Sequence, residues 1–235
     1  MASPYHTTLE TEINLASRSP SLIPKPDDWG SHISVTGFSF LPQASQFVPD
    51  AGLEAFLAAG PTPIYVGFGS IVVDDPSRLL QLVLDAVRQS GQRAIISRGW
   101  GGLSADVAPE GVLFVDNVPH DWLFARVSCV IHHGGAGTTA AGIRLGKPTV
   151  VIPFFGDQFF WGSTIARAGA GPRPIPFREL KVENLTAAID CALSTTIQRF
   201  AKEYGRRIEG EQGADTCAST FHYKLDVDAL RCSLD

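Results

Sequence analysis

The sequence predicts an α/β fold in which a parallel sheet is covered by helices on both faces. Three observations predict it. From residue 63 onwards, short β-branched runs alternate with segments of helical periodicity. Each run is separated from the next segment by Gly, Pro or Asn. The strand-like runs are apolar throughout instead of alternating in polarity. Strands of that kind are buried on both faces, which is typical of parallel sheets with right-handed helical crossovers.

Each element follows from a local pattern. Short apolar runs predict strands at residues 63–69, 93–97, 112–115, 129–132, 149–153 and 173–176. The first helix is predicted over residues 77–90, because Asp75 or Pro76 opens it, leucines and valines fall on one face, and Gly91 ends it. Shorter helices are predicted at residues 120–125, 138–145, 158–168 and 182–193. This order of elements predicts a Rossmann-like architecture.

Composition divides the chain into three parts. Residues 1–60 are rich in Ser, Pro and Gly, with one strand-like stretch at 33–40 and a helical patch at 53–59, so we expect a partial N-terminal segment and a linker. Residues 61–195 form the Rossmann-like, ligand-binding domain. Residues 196–235 are amphipathic and charged and are expected to form terminal helices.

Charge and composition exclude several functional classes. The chain has 19 basic and 24 acidic residues, a net charge of −5, which is unsuited to non-specific binding of nucleic acid. No apolar run approaches the ~20 residues that span a bilayer, and residues 1–21, which include Glu10 and Glu12, do not read as a secretory signal. The four cysteines form no metal-binding pair, so no metal cofactor is expected. We expect a cytoplasmic protein, with peripheral membrane contact left open.

A glycine-rich bend after the fourth predicted strand carries the strongest functional signal. Glycine lets the backbone approach a ligand closely, and the free N–H groups at a helix start bind anions. Successive strand residues face opposite ways, so only one of His132 and His133 is expected to face the ligand, and we favour His133 next to the bend. The expected anion-binding residues are His133, Gly135, Ala136, Gly137 and Thr138.

The same bend also satisfies a dinucleotide fingerprint. Gly135, Gly137 and Ala140 have its spacing, and Asp157 lies about 20 residues further on, where a ribose-binding acid belongs. NAD binding is therefore a rival interpretation. However, the motif follows the fourth strand instead of the first, and Asp157 is followed by Gln158, a pair suited to the vicinal hydroxyls of a hexose. A nucleotide sugar fits these observations better.

Three further loops are expected at the same edge of the sheet. Ser70 ends the first strand and makes either a second phosphate contact or an ordinary turn. Asn117, Val118 and His120 follow the third strand and offer polar groups beside an exposed backbone, as a planar base requires. Trp100 lies between glycines after the second strand, which suggests a stacking or lid role.

Three segments, in this order and spacing, resemble the nucleotide-sugar half of family 1 GT-B glycosyltransferases, and most nearly the fungal and plant sterol 3-beta-glucosyltransferases. They are residues 117–120, 133–139 and 154–161, and the resemblance extends over roughly residues 20–195. It implies that His133 and the bend 135–138 hold the diphosphate of UDP-glucose with the help of Ser70. By the same resemblance the Val118 backbone meets uracil, the pair Asp157 and Gln158 binds glucose, and Asn117 and His120 line the pocket.

This sequence departs from the broader plant family at two positions. Asn117 stands where those enzymes usually have a tryptophan under the base, and Ala141 stands where they have a ribose-binding glutamate. The resemblance therefore assigns no residue of this chain to base stacking or to anchoring the ribose.

The resemblance also implies the reaction. It is an inverting transfer of glucose from UDP-glucose to the hydroxyl of a sterol or similar lipophilic acceptor, without a metal. The catalytic base is expected in an N-terminal acceptor domain, of which residues 1–60 resemble only the end, so this chain is expected to be inactive without that domain or a partner chain. Two alternatives stay open: a non-catalytic nucleotide-sugar binding module or subunit, and an NAD-dependent oxidoreductase domain.

Overall fold

A computed structural model describes residues 14–100, 102–103, 105 and 107–224. Its contacts divide the chain into two compact units, with one boundary after Leu41 and the other within helix α7 (Thr195–Glu209). The smaller unit combines residues 14–41 with residues 207–224 of the described chain. Residues 1–21 were not expected to be a secretory signal, and of these, residues 1–13 lie outside the described residues.

The smaller unit contains a short parallel pair of strands and one helix. Strand β1 (Asn14–Ala16) pairs with β2 (Ile33–Val35), so the predicted strand at 33–40 forms only over its first residues. Helix α8 (Gly213–Lys224) lies in the same unit, where Lys224 Nζ donates to the carbonyl oxygen of Ser31 at 2.6 Å.

The larger unit, Pro42–Arg206, contains a five-stranded parallel sheet and its helices. The strands are β3 (Ile64–Gly67), β4 (Ala94–Ser97), β5 (Val112–Val115), β6 (Val130–His132) and β7 (Thr149–Val151). Their spatial order is β5-β4-β3-β6-β7. The helices that begin in this unit are α1 (Ala51–Ala58), α2 (Pro76–Gln89), α3 (His120–Leu123), α4 (Ala136–Arg144), α5 (Gln158–Arg167), α6 (Val182–Ala192) and α7.

Both faces of the sheet are buried, as the apolar strands predict. On β3, Ile64 and Val66 belong to a core cluster shared with α2 and α6, whereas Tyr65 belongs to a second cluster with Leu123 and Phe124. Burying one such aliphatic side chain contributes about 1.5–3 kcal/mol. The predicted Rossmann-like α/β fold is confirmed.

The sixth predicted strand, residues 173–176, is not a strand in the structure. The segment runs beside β7, where the N–H of Ile175 donates to the Val151 carbonyl oxygen at 3.0 Å and that of Phe177 to the Pro153 carbonyl oxygen at 3.0 Å. The return bond of a parallel ladder would come from the N–H of residue 153, which is a proline and has none, so no regular ladder forms.

Candidate functional site

The sheet order locates a crevice between β3 and β6. From β3, the chain adds β4 and β5 on one side and β6 and β7 on the other, so the strand order reverses between β3 and β6. Ligands of open parallel sheets bind at such a reversal, beyond the carboxyl ends of the strands. Gly69 and Ser70 follow β3 at this point, and His133 and Gly135 follow β6.

Helix α4 begins at this crevice with free backbone donors. It starts at Ala136, two residues before the predicted start, and Gly135 is its N-cap residue with no side-chain capping bond. The first bond into the helix joins the N–H of Thr139 to the carbonyl oxygen of Gly135 at 2.9 Å. The N–H groups of Ala136, Gly137 and Thr138 therefore have no partner within the helix, and the positive end of its dipole favours an anion there.

Gly134 makes the bend tight. Its φ of +97° lies in the region that favours glycine, and a Cβ at this position would meet Val151 Cγ1 at 2.8 Å and the carbonyl oxygen of Gln158 at 2.9 Å. The chain therefore turns directly against β7 and α5 before α4 begins. A larger residue here would displace the bend from the sheet.

The two histidines of the bend have different environments. His132 is fully buried, and its Nδ1 accepts from the N–H of Gly134 at 2.9 Å. Burial, reinforced by the neighbouring His133 and His120, lowers the pKa of His132 to about 3, so this side chain is neutral. His132 therefore stabilises the bend from its buried side by accepting the Gly134 N–H.

The half-buried ring of His133 lies in the crevice. A Cβ on Gly69 would come within 3.2 Å of His133 Cε1, and one on Gly135 within 2.6 Å of His133 Nε2, so the ring is held between the loops after β3 and β6. Its Nδ1 is buried without a hydrogen-bond partner in the described part of the chain. Desolvation lowers the pKa of His133, and the carboxylate of Asp157 acts in the opposite direction.

Asp157 and Gln158 follow β7, but both already make contacts within the protein. Gln158 is buried, and its Oε1 accepts from the N–H groups of Phe154 at 2.7 Å and Phe155 at 3.2 Å. Asp157 is exposed, and its Oδ2 accepts from Trp161 Nε1 at 3.1 Å. The sequence pattern suggested that both side chains are available to hydroxyl groups, whereas the Gln158 oxygen is occupied and only its amide N–H groups are left for a ligand.

The Gln158 contacts lead to a stability prediction. Replacing Gln158 with leucine removes the acceptor of two backbone N–H groups, so we expect the free energy of unfolding to fall by about 1–3 kcal/mol. Gln158→Glu keeps an acceptor and should retain more of this stability while losing the amide donor. Urea denaturation of both variants measures the difference. Equal stability of Gln158→Leu and the wild-type protein would contradict the structural role.

A cleft of about 220 Å³ brings together the other predicted residues. It lies beyond β3, β4 and β5. The predicted residues that line it are Ser70, Trp100, Asn117, Val118 and His120.

Sequence reasoning missed Tyr65 and Ser97, which also line this cleft. The Tyr65 hydroxyl is hydrogen-bonded to Ser97, but burial is the larger effect and raises the pKa of Tyr65 to about 12. The position of Ser97 at the carboxyl end of β4 was an available signal.

His120 is fixed by aromatic contacts. Its ring stacks on Phe124, with centroids 4.4 Å apart and planes at 13°, and meets Tyr65 edge-on at 5.9 Å. Burial lowers its pKa, although Asp121 raises it. His120 therefore offers a neutral ring to the cleft.

A larger groove lies away from this edge. A groove of about 790 Å³ includes Thr62, Val127 and Lys147, which precede β3, β6 and β7, so it lies at the amino ends of the strands. Ligands of parallel sheets bind at the opposite ends, and we therefore assign the site to the carboxyl edge. Within the described residues, no group of three or more His, Cys, Asp and Glu side chains could hold a metal ion, and no helix is long and apolar enough to cross a membrane.

Solved structures of GT-B glycosyltransferases have the same fold as this chain, which spans a little over half of each of them. The glycotransferase of kitacinnamycin has a TM-score of 0.74 at 20% identity, over 91% of this chain and 55% of that one. Arabidopsis thaliana UGT89C1 complexed with UDP has a TM-score of 0.69 at 18% identity, over 89% of this chain and 58% of that one.

The chain belongs to the family described as Erythromycin biosynthesis protein CIII-like, C-terminal domain, whose model matches residues 82–220. This assignment confirms the predicted resemblance to the C-terminal half of family 1 GT-B glycosyltransferases.

Curated relatives are much longer than this chain. Sterol 3-beta-glucosyltransferase UGT80B1 of Arabidopsis thaliana is 42% identical over 95% of this chain, which spans 37% of that protein. The sterol 3-beta-glucosyltransferase of Neosartorya fischeri is 37% identical over 90% of this chain, which spans 16% of that protein.

Proposed function

We propose that this chain is the donor-binding half of a UDP-glucose-dependent inverting glucosyltransferase that acts on a sterol or similar lipophilic alcohol. The observation that carries the proposal is the uncapped start of α4 at the strand-order reversal, with the His133 ring beside it. The names of the sterol 3-beta-glucosyltransferase relatives support the acceptor class and the sugar, and the UDP complex of a protein with the same fold supports the donor.

The proposed site orders the donor along the edge of the sheet. The diphosphate accepts hydrogen bonds from the first N–H groups of α4 and from His133, with Ser70 adding a hydroxyl. The glucose lies towards β7, near Asp157 and the Gln158 amide. The uridine lies on the other side, in the cleft with Asn117, Val118 and His120.

The reaction follows from this placement. The oxygen of the acceptor hydroxyl forms a bond to the anomeric carbon, the bond from that carbon to the diphosphate oxygen breaks, and UDP leaves with the electron pair. Donors fixed at the diphosphate stabilise the negative charge that develops there. We assign the base that takes the hydroxyl proton to an N-terminal domain or a partner chain, and we propose no metal ion.

The domain roles and the location are part of the proposal. Residues 1–60 act as the N-terminal segment and linker, 61–195 bind UDP-glucose, and 196–235 are the terminal segment, which is helical at α7 and α8. We place the protein in the cytoplasm, in peripheral contact with a membrane, because a lipophilic acceptor resides in bilayers.

Two measurements test the proposal. Calorimetric titration with UDP, UDP-glucose and NADH should show binding of the two uridine ligands, whereas tight NADH binding without a response to UDP would contradict it. Transfer from carbon-14-labelled UDP-glucose to ergosterol should then appear when a separate acceptor domain is supplied. If the chain binds the donor but transfers no glucose, with or without the acceptor domain, a non-catalytic binding module is favoured instead.

A further inference from the structure

The sheet order decides which part of the donor enters the 220 Å³ cleft. This argument rests on the proposed function. A nucleotide sugar is a linear molecule with its diphosphate in the middle, so a diphosphate at α4 and a sugar towards β7 leave the nucleoside for β3, β4 and β5. Neighbouring strands are about 4.8 Å apart, so β7 and β5, four intervals apart, are separated by roughly 19 Å. The cleft beyond β4 and β5 therefore takes the base.

The cleft has the size for one end of the donor. Sites that enclose a whole small-molecule ligand have volumes of about 300–1,000 Å³, larger than the 220 Å³ found here. Its polar groups include the Asn117 side chain and the carbonyl oxygen of Val118, which suit the edge of a planar base, whereas the Val118 N–H already donates to the Asp116 carbonyl oxygen at 3.2 Å. These groups meet only the edge of the base, so another group must cover its face.

The backbone of Trp100 is held firmly at this cleft. Its N–H donates to the carbonyl oxygen of Gly69 at 3.0 Å, which ties the loop after β4 to the loop after β3. The turn is closed by a bond of 3.0 Å from the N–H of Leu103 to the carbonyl oxygen of Arg98, and the Leu103 side chain is buried. Arg98 in turn pairs with Asp116 at 3.1 Å. The position of Trp100 is thus set by its neighbours.

The indole of Trp100 is nevertheless 84% exposed. The two other aromatic rings that line the cleft are engaged inside the protein, since Tyr65 is 4% exposed and His120 stacks on Phe124. A large apolar ring that is attached to a well-bonded backbone at a cleft and left uncovered is suited to an aromatic ligand, because base–aromatic stacking is favourable and buries one face of each ring.

We propose that Trp100 is the stacking residue for the base of the nucleotide. Every base has a flat aromatic face, so stacking supplies affinity that is largely independent of the base. Discrimination between bases then depends on the groups at Asn117 and Val118. Trp100 therefore contributes to the binding of nucleoside diphosphates and makes no contribution to the binding of inorganic pyrophosphate.

Calorimetry with UDP and with inorganic pyrophosphate tests this role in three variants. Trp100→Ala should raise the dissociation constant of UDP by about 5- to 150-fold and leave that of pyrophosphate within about twofold. Trp100→Phe should recover most of the UDP affinity. Val107→Ala is the matched control, because Val107 is also highly exposed in the segment after β4, and it should bind both ligands like the wild-type protein.

Fluorescence provides a readout that does not depend on affinity. A stacked base should quench the indole, so saturating UDP should lower the emission of the wild-type protein, and Trp100→Phe should lose this change while still binding UDP. Unchanged UDP affinity in Trp100→Ala, or equal losses of UDP and pyrophosphate, would overturn the inference while leaving the proposed function intact. A wild-type protein that does not bind UDP would overturn both.

Discussion

Replacing His133 with alanine will weaken the binding of UDP and of UDP-glucose together, by roughly 10- to 150-fold, the effect of losing one hydrogen bond to a charged group. Both ligands carry the diphosphate, and the His133 ring lies between Gly69 and Gly135 at the start of α4. Calorimetry with both ligands measures the change.

The same contact should make binding depend on pH. Burial lowers the pKa of His133, so the ring is neutral in the free protein near pH 7. An anionic diphosphate favours the charged ring and raises this pKa in the complex. Binding then takes up a proton, and affinity should increase as pH falls from about 8 towards 6. UDP-glucose is the ligand to use, because the terminal phosphate of UDP itself titrates near pH 6.

The control for this experiment is His222→Ala, which removes a histidine of α8 that is exposed and belongs to the smaller unit. It should keep both the affinity and the pH dependence of the wild-type protein. An unchanged UDP affinity in His133→Ala would exclude the phosphate role of His133. If His133→Ala kept the pH dependence of UDP-glucose binding, the titrating group would be a residue other than His133.

The sequence predicts the sheet and the bend well because both depend on local patterns. Five of the six strands predicted from residue 63 onwards form, since continuous apolar runs need burial on both faces. The bend is predictable because glycines at this spacing serve tight turns and helix starts, and Gly134 indeed adopts a positive φ. The segment at 173–176 was mispredicted because Pro153, which faces it after β7, has no N–H with which to complete a ladder.

The details of the site were less predictable because they depend on contacts between distant segments. Nothing in the local sequence indicates that the Gln158 oxygen is bonded to the backbone of Phe154 and Phe155. Nor does it place Tyr65 in the cleft, because an inward-facing aromatic residue of a central strand is usually part of the core. Sequence patterns thus located the loops of the site, whereas the availability of each polar atom required the structure.

Asp157→Ala should separate sugar binding from nucleotide binding. If Asp157 contacts only the glucose, the dissociation constant of UDP-glucose will rise by roughly 10- to 150-fold, and that of UDP will change by less than about threefold. The carboxylate also raises the pKa of His133, so its removal makes the ring harder to protonate. The comparison is therefore best made by calorimetry near pH 8, where the free ring is neutral in both proteins.

The hydrogen bond from Trp161 Nε1 to Asp157 Oδ2 requires a second pair of variants. Asp157→Asn keeps an acceptor for this indole and for a hydroxyl but removes the charge. Because hydrogen bonds to charged groups are stronger, the UDP-glucose affinity of this variant should lie between those of the wild-type protein and Asp157→Ala. Trp161→Phe removes the indole donor and leaves the carboxylate in place. If Trp161→Phe lost as much UDP-glucose affinity as Asp157→Ala, Asp157 would act by positioning α5. Equal losses of UDP and UDP-glucose affinity in Asp157→Ala would show that Asp157 does not belong to the sugar site.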